Sequence, residues 1–177
     1  FTRDYSGTNN SGVNNGTVSG PVFQSSGGID GRGAYLFNGT GLTGGGNADT
    51  ITTGSAINLS RPNFTISHWI NSRNVSGSPI MFNLGGGRVS TGLQATDFCA
   101  LTNNDAWQCA STSNLQINNW YNLVWVFNGT TDILYVNGVQ NATLADNIPT
   151  SANAVANIGG NSGDAFGFNG TIDELVV

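Results

Sequence analysis

The sequence predicts an all-β chain folded as a two-sheet antiparallel β-sandwich, and three observations carry that expectation. Short runs of β-branched and aromatic residues recur at roughly 8–15-residue intervals, the spacing of sandwich strands. Gly, Asn, Ser and Thr fill the gaps between them. No window places apolar residues at i, i+3, i+4 and i+7, the stripe of a surface helix.

Residues 1–30 are poor in apolar side chains, and Val13, Val18, Val22 and Phe23 suffice only for a short edge strand. From there strands are predicted at Ala34–Asn38, Thr50–Thr53, Phe64–Asn71, Ile80–Leu84, Gly92–Ala95 and Cys99–Thr102. They continue at Trp107–Ala110, Tyr121–Phe127, Ile133–Val136, Ala154–Ile158 and Gly170–Val177. Within Phe64–Ile70, alternation puts Phe64, Ile66, His68 and Ile70 on one face and Thr65, Ser67 and Trp69 on the other. His68, alone among apolar neighbours, reads as a satisfied core residue and not as a base or ligand. The stretch Trp120–Gly138 reads as strand, turn, strand, turn, with Asn128-Gly129 and Asn137-Gly138 as tight turns needing positive φ at both central residues.

A chain of 177 residues suits one domain spanning 1–177. Charged residues are 8%, against a typical ~25%, so uncharged polar groups must carry solubility. Aromatic residues, at 10%, supply the core that keeps such a chain from disorder. The net charge is −5, all basic residues are Arg, and none are adjacent. That excludes a nucleic-acid groove, which needs clustered cations, and a polybasic membrane patch. No apolar run reaches the ~20 residues of a spanning helix, so no direct membrane insertion is expected. The chain starts at Phe1, as a processed product or excised domain would.

Cys99 and Cys109 flank a polar segment containing Asn103, Asn104 and Asp105. With those three as a hairpin loop, Thr102 faces Ala106 and Cys99 faces Cys109, so a disulfide is expected, implying an oxidising compartment. Asn-x-Ser/Thr acceptors occur at Asn9, Asn15, Asn38, Asn58, Asn63, Asn74, Asn128, Asn141 and Asn169. Several are expected to carry glycans, with Asn15, Asn128 and Asn169 favoured because Asn-Gly turns are exposed.

Trp120–Gly138, ending in Leu134-Tyr135-Val136-Asn137-Gly138, resembles the laminin-G-like, concanavalin A-type jelly-roll family. Gly31–Gly39 resembles the family's early "G-x-A-L-x-F-D-G" strand, and Asn63–Ile70 its "F-T-I-S-x-W-V" strand. Ile158-Gly159-Gly160 and Phe168–Glu174 resemble its closing "I-G" and "F-x-G-x-I-D-E" elements. The resemblance implies a jelly roll and the possibility of a structural Ca²⁺ at the sandwich rim, held by hard oxygen donors. By position its ligands would be Asp49 and Asp173, with Asp4 and Asp30 as weaker choices. Glycoside hydrolases of this fold carry paired carboxylates in a Glu-x-Asp-x-x-Glu arrangement. This chain has one Glu, Glu174, beside Asp173, and adjacent strand residues point to opposite faces, so no enzyme is expected.

Trp69, Trp107, Tyr121 and Trp125 are candidates for stacking sugar rings, although a sandwich buries most such side chains. The preferred reading is a non-catalytic extracellular or cell-surface adhesion and recognition module, with glycans or surface glycoproteins as partners. The alternative is a subunit that binds copies of itself in an extracellular filament or sheath. Lys-free, Asn/Thr/Gly-rich, acceptor-rich chains of this kind resemble archaeal surface proteins. Phe1–Val22, low in apolar content, is the segment that would add as a strand to a neighbouring copy or fold back as an edge.

Overall fold

The computed structural model describes residues 16–39, 48–60, 63–85, 89–102, 107–111, 113–145, 153–161 and 166–177. The strands are β1 (Thr17–Ser19), β2 (Val22–Gln24), β3 (Ala34–Asn38), β4 (Thr50–Thr52), β5 (Ile57–Asn58) and β6 (Phe64–Ser72). They continue as β7 (Ile80–Leu84), β8 (Val89–Gln94), β9 (Asp97–Thr102), β10 (Gln108–Ala110) and β11 (Trp120–Phe127). The last are β12 (Thr131–Val136), β13 (Val139–Ala145), β14 (Asn153–Ala154), β15 (Ala156–Ile158) and β16 (Asn169–Val176). No helix occurs among the described residues.

Two seven-stranded sheets, paired antiparallel throughout, form the sandwich. One runs β1-β4-β15-β7-β8-β9-β10 and the other β13-β12-β11-β6-β16-β3-β2, while β14 and β5 make a small ribbon. The inward faces of β6 and β11 alternate as the sequence predicts, burying Ile66, His68, Ile70, Leu123, Trp125 and Phe127. Facing them from the first sheet are Phe82, Leu84, Leu93 and Phe98, also fully buried. Phe64 packs edge-on to Trp125 at 4.9 Å and stacks on Phe127 at 5.4 Å, anchoring one end of the core. Burying one such ring contributes about 1.5–3 kcal/mol.

Local features at the sheet edge, the turns and β16 test the expected pattern. The strand β13 is not among the strands predicted from sequence, because its V-Q-N-A-T-L-A run has little apolar contrast and lies at a sheet edge. The Asn137-Gly138 turn has both central residues at positive φ, 51° and 78°, as expected of its residue types. In the β11–β12 hairpin the turn is shifted by one residue: only Gly129 has positive φ, and Asn128 N–H donates to Thr131 O at 3.2 Å. In β16 the ladder with β6 slips between Asp173 and Val176, where Glu174 sits at φ 47°. This bulge means that Asp173 and Glu174 do not simply alternate in and out; both line the same cavity.

Candidate functional site: an aromatic and amide platform

On the outer face of the second sheet, Trp120 stands opposite Asn71 and Asn122 opposite Trp69. The two tryptophans therefore occupy one diagonal of a four-residue block and the two asparagines the other. On the far side of β6, Thr171 pairs with Asn71 and Asp173 with Trp69, but Thr171 is buried and both Asp173 oxygens accept backbone N–H groups, so the block ends at β6. All four central side chains are half-buried, set into the sheet but open to solvent. Each ring is directly opposed to an amide, about 4.5–5.5 Å away, and the two rings lie about 7–8 Å apart on the diagonal, so a sugar unit on either ring reaches an amide. The side-chain amides of Asn71 and Asn122 make no hydrogen bond to the described residues, so their donors and acceptors are unspent.

The strands beneath are held from both sides. Asn137 Oδ1 accepts the Asn122 N–H at 2.8 Å, and Asn137 N–H donates to Asn122 O at 2.8 Å, so the turn residue clamps the platform strand's backbone. One residue further in, His68 Nδ1 lies 3.1 Å from Leu123 O. A carbonyl only accepts, so Nδ1 carries the proton and Nε2 accepts from Thr91 Oγ1, 2.9 Å away on the opposite sheet. Burial pushes the His68 pKa from 6.5 down to about 4, outweighing the backbone hydrogen bonds that raise it. At neutral pH it is an uncharged bridge between the sheets, the core residue the sequence pattern indicates.

The remaining aromatic candidates have other places. Trp125 is fully buried, and its Nε1–H donates to Asp132 Oδ1 at 2.6 Å. Tyr121 faces inward, and its hydroxyl accepts the Gln116 N–H at 3.0 Å. Trp107 lies over Gly92 on the outer face of the first sheet, where an added Cβ would come within 2.8 Å of its ring. Only Trp69 belongs to the platform. Trp120 is not among the aromatic candidates of the sequence, although it lies an odd number of positions from inward Trp125 and so faces outward.

The outer face of the first sheet carries a registered polar row, Thr52, Asn157, Asn83 and Ser90. Thr52 Oγ1–H donates to Asn157 Oδ1 at 2.8 Å, and Asn83 and Ser90 are completely buried, so this row is internal polar structure. Beside it Cys99 and Cys109 are directly opposed, Cα atoms 4.0 Å apart, and form the expected disulfide. The tip of that hairpin, including residues 103–105, lies outside the described residues.

The model of one family, described as the concanavalin A-like lectin/glucanases superfamily, matches residues 44–177. The chain belongs to that superfamily. No curated protein sequence matches it. Among solved structures, domain 4 of a GH43 extracellular arabinanase from Geobacillus stearothermophilus aligns with TM-score 0.68 at 20% identity. That alignment covers 90% of this chain and 80% of the other. A heptameric SAP-like pentraxin from Limulus polyphemus aligns with TM-score 0.61 at 14% identity, covering 79% of this chain and 72% of the pentraxin. The binding domain of Paraclostridial Mosquitocidal Protein 1 aligns with TM-score 0.65 at 14% identity, over 90% of this chain and 44% of that one. At these identities the likeness establishes the shared sandwich alone.

In this superfamily member the carboxylates expected to hold calcium serve the backbone. Asp49, buried, accepts the Asn38 N–H through Oδ2 at 2.9 Å. Asp173 accepts the Ile29 N–H through Oδ2 at 3.0 Å and the Glu174 N–H through Oδ1 at 2.9 Å. Asp30 pairs with Arg32 on the exposed surface at 3.4 Å, and Asp4 lies outside the described residues. Among the described residues no three acidic, His or Cys side chains converge as a metal cluster.

The glycan acceptors are spread around the domain. Asn38, Asn58, Asn63 and Asn128 are exposed, Asn74, Asn141 and Asn169 are half-buried, and Asn9 and Asn15 lie outside the described residues. In three of them the Asn Oδ1 accepts the N–H of its own Ser or Thr: Ser60 at 3.0 Å, Ser76 at 2.9 Å and Thr130 at 3.3 Å.

Proposed function

We propose that this chain is a non-catalytic glycan-recognition module that works outside the cell as part of a larger surface structure. One observation carries the reading: Trp69 and Trp120 alternate with Asn71 and Asn122 on an open sheet face whose amides are unspent. Aromatic faces take the apolar C–H side of a sugar ring, and amides take its hydroxyls. The disulfide and the glycan acceptors support an oxidising, exported setting. The chain has a single Glu, adjacent to Asp173, and lacks the Glu-x-Asp-x-x-Glu arrangement that glycosidases of this fold use, which supports a non-catalytic reading.

The test is binding of the full chain to an array of neutral and acidic oligosaccharides, compared with Trp69→Ala and Trp120→Ala. Selective binding lost in both variants, with the disulfide and far-UV spectrum intact, supports the reading. Binding unchanged in both variants overturns the platform.

A second reading, self-assembly into a filament or sheath, is favoured by β13. It is a seven-residue edge strand without a charge or a proline, and Val139 on it is exposed. Such an edge lacks the usual protection against strand pairing with another copy. Concentration-dependent association of the full chain, abolished by Leu144→Lys, would favour this reading; a monomer at every concentration would dismiss it.

A further inference from the structure

We propose that the open margin between the two sheets is a binding site for a small organic ammonium ion, distinct from the glycan platform. A cavity of about 270 Å³ opens there between β2, β3 and β16 on one side and β4 and β15 on the other. Its walls include Phe23, Tyr35, Phe37, Ile51, Ile158 and Glu174, with Asp173 beside Glu174. The Phe23 and Tyr35 rings stand 5.4 Å apart at 60°, forming two sides of an aromatic corner.

Phe23 is 58% exposed, an unusual place for a large apolar ring, yet it does not hang free. It lies against Gly33, where any Cβ would overlap it. The ring is therefore held over the cavity by the glycine beneath it.

Charge selects the ligand. Asp173 has its charge fixed in place by the Ile29 and Glu174 N–H groups. Glu174 is held at φ 47°, a conformation that costs a non-glycine residue energy and is kept only where its surroundings impose it. Its carboxylate has no hydrogen bond or ion pair among the described residues. No Arg lines the cavity, and Arg32 nearby pairs with Asp30. An anion is repelled by these walls, and a polyol finds among them little beyond the Tyr35 hydroxyl and the carboxylates to bond. A quaternary ammonium needs no hydrogen-bond acceptor, is attracted to aromatic faces, and is drawn by the adjacent carboxylates.

The test compares tetramethylammonium with a neutral alcohol of similar size and branching, neopentyl alcohol, by calorimetric titration of the full chain at low salt. The expected result is saturable binding of the cation, at least about tenfold tighter than the alcohol. Phe23→Ala and Glu174→Gln should each weaken it about tenfold, and Trp69→Ala should leave it unchanged. Both altered residues are solvent-exposed, and circular dichroism checks that each variant is folded. Equal binding of the alcohol, absence of saturable cation binding, or binding indifferent to both variants would each overturn the assignment. Because the platform is read out separately by Trp69→Ala and the oligosaccharide array, failure of one site leaves the other standing.

Discussion

Acidification should destabilise this domain through one residue, His68. Its pKa falls from 6.5 to about 4 on folding because the ring is buried, with one nitrogen donating to Leu123 O and the other accepting from Thr91. The unfolded chain therefore binds a proton from about pH 6.5 downward, while the folded chain stays neutral until about pH 4. Stability is lost across that window as pH falls. That fall in pKa corresponds to about 3 kcal/mol, a large share of the ~5–15 kcal/mol typical of a domain. Urea unfolding of the wild type and His68→Gln at pH 7, 5.5 and 4 isolates the effect, since the carboxylates titrate alike in both. At pH 7 the variant should be the less stable by about 1–3 kcal/mol, for the lost bridges. By pH 4 most of that difference should have closed or reversed. A difference constant within about 0.5 kcal/mol across the range would refute the reasoning.

Other expectations follow from named contacts. Reducing Cys99–Cys109, or replacing both by Ser, should cost about 2–3 kcal/mol in urea unfolding, the loop-closure entropy of a ten-residue separation. Gly170→Ala should cost more than about 2 kcal/mol or prevent folding, because Gly170 has φ +146° and a Cβ would overlap Asn71 O; the midpoint of thermal unfolding reads this. Gly92→Ala should displace the Trp107 ring, seen as a shift in tryptophan emission that Trp107→Phe abolishes. In material from an oxidising, glycosylating host, peptide mapping should find Asn128 modified before half-buried Asn169; an occupied Asn169 with a bare Asn128 would contradict the exposure argument.

Much of the fold is legible in the sequence because inward faces have high apolar contrast. Phe64, Ile66, His68 and Ile70 could be placed by period alone, and the half-buried face opposite them contains Trp69. The disulfide was legible because counting outward from a three-residue loop aligns Cys99 with Cys109, the register observed. Contrast fails where burial is small: β13 buries little, so its sequence carries no strong pattern. Alternation fails at Glu174, where a left-handed residue resets the phase and brings two neighbouring carboxylates to one cavity. The order of strands across each sheet, with β16 between β3 and β6, rests on contacts far apart in the chain that no local window contains. The platform itself needed pairing information, since Trp120 meets Trp69 and Asn71 only once β11 is set beside β6.

That pairing also explains why an outward platform depends on an inward histidine. Trp69 follows His68 in β6, and Asn122 precedes Leu123 in β11, so the residues that bridge the sheets neighbour those that face solvent. His68 ties β6 to the Leu123 carbonyl and to Thr91 on the opposite sheet, while Asn137 ties the Asn122 backbone from the other side. A surface whose backbone is fixed before a ligand arrives loses less entropy on binding, and so binds more tightly for the same contacts. His68→Gln should then weaken oligosaccharide binding at pH 7 without touching any ligand-facing side chain. It should do so mainly through faster dissociation, in surface-plasmon measurements on the ligand identified by the array. Wild-type affinity should itself fall between pH 5 and 4, as His68 gains a proton on Nε2 and can no longer accept from Thr91, which loosens the tie to the opposite sheet while Nδ1 still donates to Leu123 O. Affinity that stays level across that range while the domain remains folded would separate the core bridge from the platform.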